Sequence, residues 1–440
     1  MKVMKFGGTS VGKPQRMKEV VDLITKDGES KIVVLSALSG TTNALAEISD
    51  TLARGDRPAA REMISDLDRH YQGFMSELLS EEVYIQKAKT LIAEHFEFLQ
   101  IIGKISFSEA LNKDILAQGE LMSSKLFCTY LEEKKIDHVL LPALDFMTID
   151  SYDEPQVGTI KVKLAQLLQK HKENKIFVTQ GYISRNSRGE VDNLKRGGSD
   201  YSASLIAAAI NANVCEIWTD IDGMHNNDPR IVRTTKAIEQ LSFEEAAELA
   251  YFGAKILHPA SIWPAQYYNV PVRLLNTLQP AAKGTLISAV AVSAGVKAVA
   301  AKDGITAIRV KSSRMLLAYG FLRKVFEVFE KYRTSIDMIT TSEVAVSVTI
   351  DNDIHLDEII SDLKLFGTVE VDTNQSIVSI VGNEITETED VMHKLFACLS
   401  AIPVRMVSYG GSRHNISVLI GRAYKEEALQ LLNRGLFNMQ

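Results

Sequence analysis

Short apolar blocks alternate with stretches whose apolar positions recur every three or four residues over roughly the first 295 positions of the chain. Ile32–Leu35, Val139–Leu141, Ile176–Val178, Cys215–Trp218 and Val270–Leu275 read as buried strands. Met17, Val20, Val21 and Ile24 form one helical face behind Pro14, a favourable first-turn residue. Repeated strand–helix alternation of this kind predicts a largely parallel sheet covered on both faces by helices. Residues 57 to 135 read as mostly helical, a block set beside that sheet.

The last 140 or so residues follow another rhythm. Lys324-Val325-Phe326 recurs as Lys394-Leu395-Phe396 and Ser347-Val348 as Ser417-Val418, both at an offset of 70 residues, which points to an internal duplication. In the first copy Ile305–Val310 predicts a strand, and Leu322, Val325, Phe329 and Tyr332 predict one face of a helix. Asp337–Thr340 and Val344–Ile350 then predict a strand pair, Leu356–Phe366 a helix and Thr368–Val371 a closing strand. The second copy has no equivalent of that closing strand, and Val296–Ala301 is a strand without a partner, so the two copies are expected to interlock.

Composition narrows the class. The 440 residues carry 49 Lys and Arg against 55 Asp and Glu, a net charge of −6 that disfavours a nucleic-acid binder built on a basic surface. With 46% hydrophobic and 24% charged residues the chain can bury a sizeable core. The longest apolar stretch, Leu286–Val296, is too short to span a bilayer, and the N-terminus lacks the apolar core of a signal peptide. Cys128, Cys215 and Cys398 are widely spaced, as reduced thiols would be. A cytoplasmic protein without membrane contact is expected.

Two glycine motifs could carry chemistry. Lys5-Phe6-Gly7-Gly8-Thr9-Ser10 follows a strand and precedes a helix; its amides and lysine suit a phosphate, and a plain turn is the alternative. The overlapping Gly7–Gly12-Lys13-Pro14 misses a Walker A loop, because Pro14 stands where a magnesium-binding hydroxyl is required. No Gly-x-Gly occurs, which excludes the dinucleotide fingerprint, and protein-kinase signatures are missing as well. The second motif, Arg196-Gly197-Gly198-Ser199-Asp200, opens an Ala/Ser-rich helix whose N-terminus suits an anion, with Arg196 able to hold a carboxylate or phosphate bidentately. Trp218-Thr219-Asp220 ends a strand, and Phe252-Gly253-Ala254-Lys255 offers another lysine beside a glycine; His258 lacks a metal-binding context.

Together, Lys5–Val11, Ser36-Ala37 with Thr42-Asn43, Gly119-Glu120, Arg196–Asp200, Trp218–Asp220 and Phe252–Lys255 resemble the motifs of the aspartokinases, in the family's order and over nearly the full length. The resemblance implies an α/β amino acid kinase fold over residues 1–295, followed by two ferredoxin-like ACT regulatory units at 296–372 and 373–440. The chain length corresponds to the monofunctional, lysine-sensitive type. The activity implied is transfer of the ATP γ-phosphoryl group to the side-chain carboxylate of L-aspartate, with Mg2+ as the partner of ATP and no protein ligand assigned to it. Alternatives are another amino acid kinase, acting on glutamate or acetylglutamate, and a non-catalytic amino-acid sensor.

By the same resemblance Lys5, Asp200 and Lys255 form the catalytic group, and Ser36, Thr42, Glu120, Arg196, Gly197, Gly198 and Ser199 bind aspartate. Lys5, Gly7, Gly8, Thr219, Asp220, His225, Arg230, Lys255 and Ile256 line the ATP site. Met315, Ala318, Gly320, Phe321, Leu322, Ser335, Asp337, Ser342 and Glu343 would form a pocket for L-lysine as feedback effector, in a homodimer or larger assembly joined through the ACT units. Three departures stand out: Lys195 replaces the usual glycine, His225 a common tyrosine, and Asp192 and Asn193 the usual threonines.

Overall fold

The computed structural model describes residues 1–105, 107–194, 197–253, 257–290, 294–312 and 319–439. Strands predicted from the sequence are present as β1 (Lys2–Phe6), β2 (Lys31–Leu35), β3 (Val139–Leu140), β4 (Ile176–Gln180) and β7 (Cys215–Thr219), and between β4 and β7 lies a hairpin of β5 (Ile183–Arg185) and β6 (Val191–Asn193) that the sequence reading did not contain. Between them run α1 (Gly8–Val11), α2 (Pro14–Thr25), α3 (Thr41–Ala53), the helical block α4 (Arg57–Leu78), α5 (Glu82–Ile102) and α6 (Glu109–Glu133), then α7 (Ala143–Phe146), α8 (Val157–Lys170) and α9 (Gly198–Ile210). Next come β8 (Gln240–Ser242), α10 (Phe243–Tyr251), α11 (Pro259–Tyr267), β9 (Val272–Asn276) and β10 (Thr285–Ser288). The chain groups into two compact units, Met1–Met224 with Ile256–Ala289, and His225–Lys255 with Val290–Gln440.

In the first unit the strands lie in the order β3-β4-β2-β1-β7-β9-β10. Pairing is parallel from β3 to β9, and only β10 runs antiparallel to β9. Every residue of β2 and β4 is buried, as a parallel sheet with helices on both faces requires. Met17, Val20, Val21 and Ile24 of α2 are all buried in the main core, and Pro14 is at the helix start. The parallel order brings the C-terminal ends of β1, β2 and β7 side by side, the edge at which open α/β sheets bind ligands.

The second unit is built on a six-stranded antiparallel sheet, ordered β12-β13-β11-β14-β16-β15. These strands are β11 (Gly295–Lys311), β12 (Ile339–Thr341), β13 (Ala345–Ile350), β14 (Thr368–Asn383), β15 (Val404–Ser408) and β16 (Asn415–Gly421). Helices α12 (Phe321–Lys331), α13 (Leu356–Leu363), α14 (Val391–Cys398) and α15 (Lys425–Phe437) supply the cover. The duplication is legible in the strand register. Arg309 faces Ser347 and Ile308 faces Val348, while 70 positions later Ser379 faces Ser417 and Val378 faces Val418. Val296–Ala301 and Ile305–Val310 prove to be parts of the single strand β11, irregular in register between Lys302 and Ala307. The first part of β11 pairs with the second half of β14, and its second part with the first half of β14.

Two cores form, one around Ile308, Val325, Phe329 and Val348, the other around Val299, Val378, Leu395 and Leu432. On α12 the buried residues are Phe321, Val325, Val328 and Phe329, so Leu322, expected on the buried face, is outside it. Phe329 is 2% exposed. Phe329→Ala should therefore cost about 3–5 kcal/mol. The check is the urea midpoint of the second unit together with amide exchange on β11 and β13; an unchanged midpoint would contradict the packing described.

Candidate active site

Alternation along β1 buries Met4 and Phe6 and leaves Lys5 on the partly open face near the strand end. Its ammonium is 2.6 Å from Asp200 Oδ1, with the two side chains only 12% and 18% exposed. Asp200 sits in the first turn of α9, where the unpaired amides and helix dipole favour a carboxylate. The N-cap of that helix is Gly197, at φ 69°. Ser199, Ser202, Ala203, Ser204, Ala207, Ala208 and Ala209 are buried, which lets α9 pack closely on β1 and α11. The first motif turns directly from β1 into α1, with Gly7 donating to the Trp218 carbonyl at 3.5 Å and the Phe6 and Trp218 rings stacked at 5.8 Å.

Beside it, the chain leaving β2 passes through Ser36 and Ala37 and enters α3 behind Gly40. Helix α6 can approach this loop because residue 119 is glycine: a Cβ there would be 2.8 Å from the Ala37 methyl. That approach seats Glu120 beneath the loop, 3% exposed, with Oε1 accepting from the Ala37 amide at 3.2 Å. Its other oxygen has no partner among the described residues. Burial pushes the Glu120 carboxyl up to about 8, against the opposing pull of the Ala37 amide and Lys5. A cavity of about 490 Å³ opens here, lined by Gly8, Ser36, Thr42, Glu120, Gly198 and Ser199, all six expected at a ligand site.

Tyr182 lines the same cavity and carried no signal in the sequence. Its backbone is left-handed, at φ 66°, a strained setting for an aromatic residue, and its amide donates to Ser202 Oγ at 2.7 Å. Burial, followed by the negative charges of Glu120 and Asp192, pushes its phenol up to about 12. Asp192, one of the departures, pairs with Lys113 at 2.6 Å, and Asn193 is buried with its side-chain amide unpartnered among the described residues.

Thr219 and Asp220 end β7 and hydrogen-bond to each other; the Thr219 carbonyl accepts from the Thr277 amide at 2.8 Å. His225 and Arg230 belong to the second unit. There His225 Nδ1 meets Thr235 Oγ1 at 2.8 Å, and Arg230 grips Asp228 through two hydrogen bonds of 2.9 and 2.7 Å. Arg196, Lys255 and Ile256, and of the effector residues Met315 and Ala318, lie outside the described residues. Gly320 caps α12 with φ 80°, Phe321 is buried in the core, and Leu322, Ser335, Ser342 and Glu343 are exposed. The Asp337 side chain is fully buried and already holds an ammonium, that of Lys302 at 2.8 Å, together with the Tyr251 hydroxyl at 2.7 Å. Among the described residues no group of three or more His, Cys, Asp and Glu side chains is arranged to hold a metal ion.

Comparison with known proteins agrees with this geometry. Residues 1–276 match the amino acid kinase family and residues 378–436 an ACT domain. The chain is 33% identical to lysine-sensitive aspartokinase 3 of Escherichia coli (strain K12), over 99% of both chains. It is 34% identical to chloroplastic aspartokinase 3 of Arabidopsis thaliana, over 99% of this chain and 81% of the other. Among solved structures, E. coli aspartokinase III in complex with aspartate and ADP, in the R-state, superposes with a TM-score of 0.83 at 32% identity, covering 99% of this chain and 100% of that one. The same enzyme with lysine and aspartate, in the T-state, gives a TM-score of 0.82 at 32% identity, covering 99% of each chain. The amino acid kinase fold, the ACT domain behind it and this full-length likeness establish that the chain belongs to the aspartokinase family.

Proposed function

We propose that this protein is an aspartate kinase that uses ATP to phosphorylate the side-chain carboxylate of L-aspartate, yielding 4-phospho-L-aspartate, the first step toward lysine, threonine and methionine. The observation that carries the reading is the buried Glu120 carboxyl, with one oxygen unpartnered among the described residues, in the cavity lined by Gly8, Gly198 and Ser199. A buried carboxyl there would take the substrate ammonium, with Arg196 on the α-carboxylate and Ser36 and Thr42 beside it. The nucleophile, a carboxylate of ordinary pKa about 3.9, is ionised at neutral pH and needs no general base. The barrier is the approach of two anions and the charge passed to the leaving oxygen.

Lys5 and Lys255 would neutralise that charge, and Asp200 holds Lys5 in place through the ion pair at 2.6 Å. Amides of Gly7, Gly8, Gly197 and Gly198 would add donors, with Thr219, Asp220, His225, Arg230 and Ile256 along the nucleotide. Mg2+ would enter on the ATP phosphates, consistent with an ion that keeps several waters and takes few protein ligands. Residues 296–372 and 373–440 would be the two regulatory units, the second completed by the early part of β11, as its pairing with β14 supports. A dimer or larger assembly through these units, and a cytoplasmic location, complete the reading. No described helix is long and apolar enough to cross a membrane, and the three cysteines are unpaired.

The test is ADP release with ATP-Mg2+ and a panel of aspartate, glutamate and acetylglutamate, the acyl phosphate being trapped with hydroxylamine. Aspartate should give the product; turnover with another acceptor in its place would overturn the assignment. Lys5→Ala should lower kcat by about 100- to 1000-fold in a folded protein. Near-normal turnover in that variant would remove Lys5 from the mechanism.

The Glu120 carboxyl gives a pH dependence of definite sign. Below its pKa of about 8 the carboxyl is neutral, and it must lose its proton before it can pair with an ammonium. The aspartate KM should therefore fall about tenfold between about pH 6 and pH 7 and level off above pH 8. Glu120→Gln should raise the KM and flatten this profile. A flat profile in the unaltered protein would show that Glu120 does not take the substrate ammonium.

L-lysine is the proposed effector, acting at Asp337, Ser342 and Glu343 of the first regulatory unit. Titrating lysine and threonine separately against initial rate should show inhibition by lysine, and Asp337→Ala should abolish it. Inhibition by threonine alone, or lysine inhibition that survives in Asp337→Ala, would sink the assignment.

A further inference from the structure

Helix α10 carries the chain toward Lys255, and one face of it is fastened to the regulatory sheet at three successive points. Its start is a capping box, in which Ser242 accepts from the Glu245 amide and Glu245 Oε2 accepts from the Ser242 amide at 2.7 Å. The same Glu245 oxygen, fully buried, is 2.9 Å from Lys297 Nζ on β11. Three residues on, Glu248 accepts from Asn415 Nδ2 on β16 at 2.6 Å. Three further, the Tyr251 hydroxyl donates to Asp337 Oδ1 at 2.7 Å, and its ring lies 4.5 Å from the Lys302 ammonium. Positions three apart share one side of a helix, so residues 245, 248 and 251 form a single fastening edge.

The turn that follows is held as closely. Gly253 has φ 127°, a conformation side chains rarely adopt, and a Cβ at this position would come within 2.1 Å of the Ala301 carbonyl oxygen. The backbone two residues before Lys255 thus rests on β11 next to Lys302, the residue that pairs with both Asp337 and Asp351 at 2.8 Å. Asp337 is where these attachments meet. Its Oδ1 takes both the Tyr251 hydroxyl and the Lys302 ammonium, while its buried Oδ2 has no partner among the described residues.

We infer that the Tyr251–Asp337 hydrogen bond is a latch, and that Tyr251 is a positioning residue through which the first regulatory unit controls the segment bearing Lys255. The inference rests on the reading of Asp337 as the effector carboxylate. With the site free, Asp337 fixes Tyr251, and the Gly253 turn is held against β11. An ammonium ligand that takes the Asp337 carboxylate competes with the phenol, and the turn leading to Lys255 loses its fastening. An effector shifts such an equilibrium only by its preference for one state, and the lost hydrogen bond is part of that difference.

Tyr251→Phe tests this directly, because phenylalanine keeps the ring packing and removes only the hydroxyl. The variant should lower kcat about three- to tenfold and leave the aspartate KM within about twofold, since the substrate grip is elsewhere. It should also lower the lysine IC50 by about three- to tenfold, because the effector no longer competes with the phenol. A packing role alone would move the melting temperature and neither of these constants. Wild-type values of kcat and IC50, or a raised IC50, overturn the latch. If lysine does not inhibit the unaltered protein while Tyr251→Phe still lowers kcat, the latch stands and the effector assignment falls.

Discussion

The antiparallel pairing of β11 with β14 carries the second unit. The early part of β11 pairs with the second half of β14, so the second copy's core closes only with Val296, Val299 and Ala301 taken from β11, whereas the first core is built from residues of the first copy alone. Every further element is hung from this pair: β13 and β12 on one side, β16 and β15 on the other, and α10 across the early part of β11. A strand shared in this way ties the copies together mechanically. Strain at Asp337 or Lys302 falls on the same ladder that holds Lys297 and Glu245.

The first unit holds two ionisable side chains largely out of water, in two different ways. Lys5 is held by Asp200, which sits in the first turn of α9 where the helix dipole favours its carboxylate. Glu120 is the counterpart: a carboxyl sunk beneath a loop, its pKa pushed up to about 8 by burial. The two groups divide the work by environment. One lysine has its partner fixed beside it, and one carboxyl oxygen has no partner among the described residues.

Much of this was legible in the sequence because it is local. The strands of the parallel sheet, the helix behind Pro14 and the two glycine motifs are patterns within a few residues, the repeat is read from matching short segments, and the structure places Gly7, Gly8, Gly197 and Gly198 at the C-terminal edge of the parallel sheet. What the sequence concealed is long-range or conformational. Val296–Ala301 and Ile305–Val310 read as two strands, yet the chain continues from one to the other as a single irregular strand, since a bulge absorbs the extra residue without ending the ladder. Tyr182 has no motif; it matters because its backbone is left-handed and the cavity happens to open in front of it. Asp337 was expected to receive an ammonium, and it does, but from Lys302, thirty-five positions away in the chain. The fastening edge of α10 escaped for the same reason, as nothing near Glu245, Glu248 or Tyr251 in sequence names their partners.

The shared register of the two copies has a consequence for how they came to differ. Opposite β13 stands a strand entered from Asp337; opposite β16 stands Val404–Ser408, which contains no acidic residue. Duplication thus left one frame with a cation-binding carboxylate and another relieved of that duty. The second frame took up a different task. Its last helix holds the segment that carries His225 and Arg230, with Asn433 donating to the Thr234 carbonyl, the Leu429 carbonyl accepting from Asn227 and Val232 sunk into its core. One copy carries the pair of the buried Asp337 with Lys302, and its twin anchors the segment of Asn227, Val232 and Thr234. The buried carboxylate of the first copy therefore has no counterpart in the matching strand of the second.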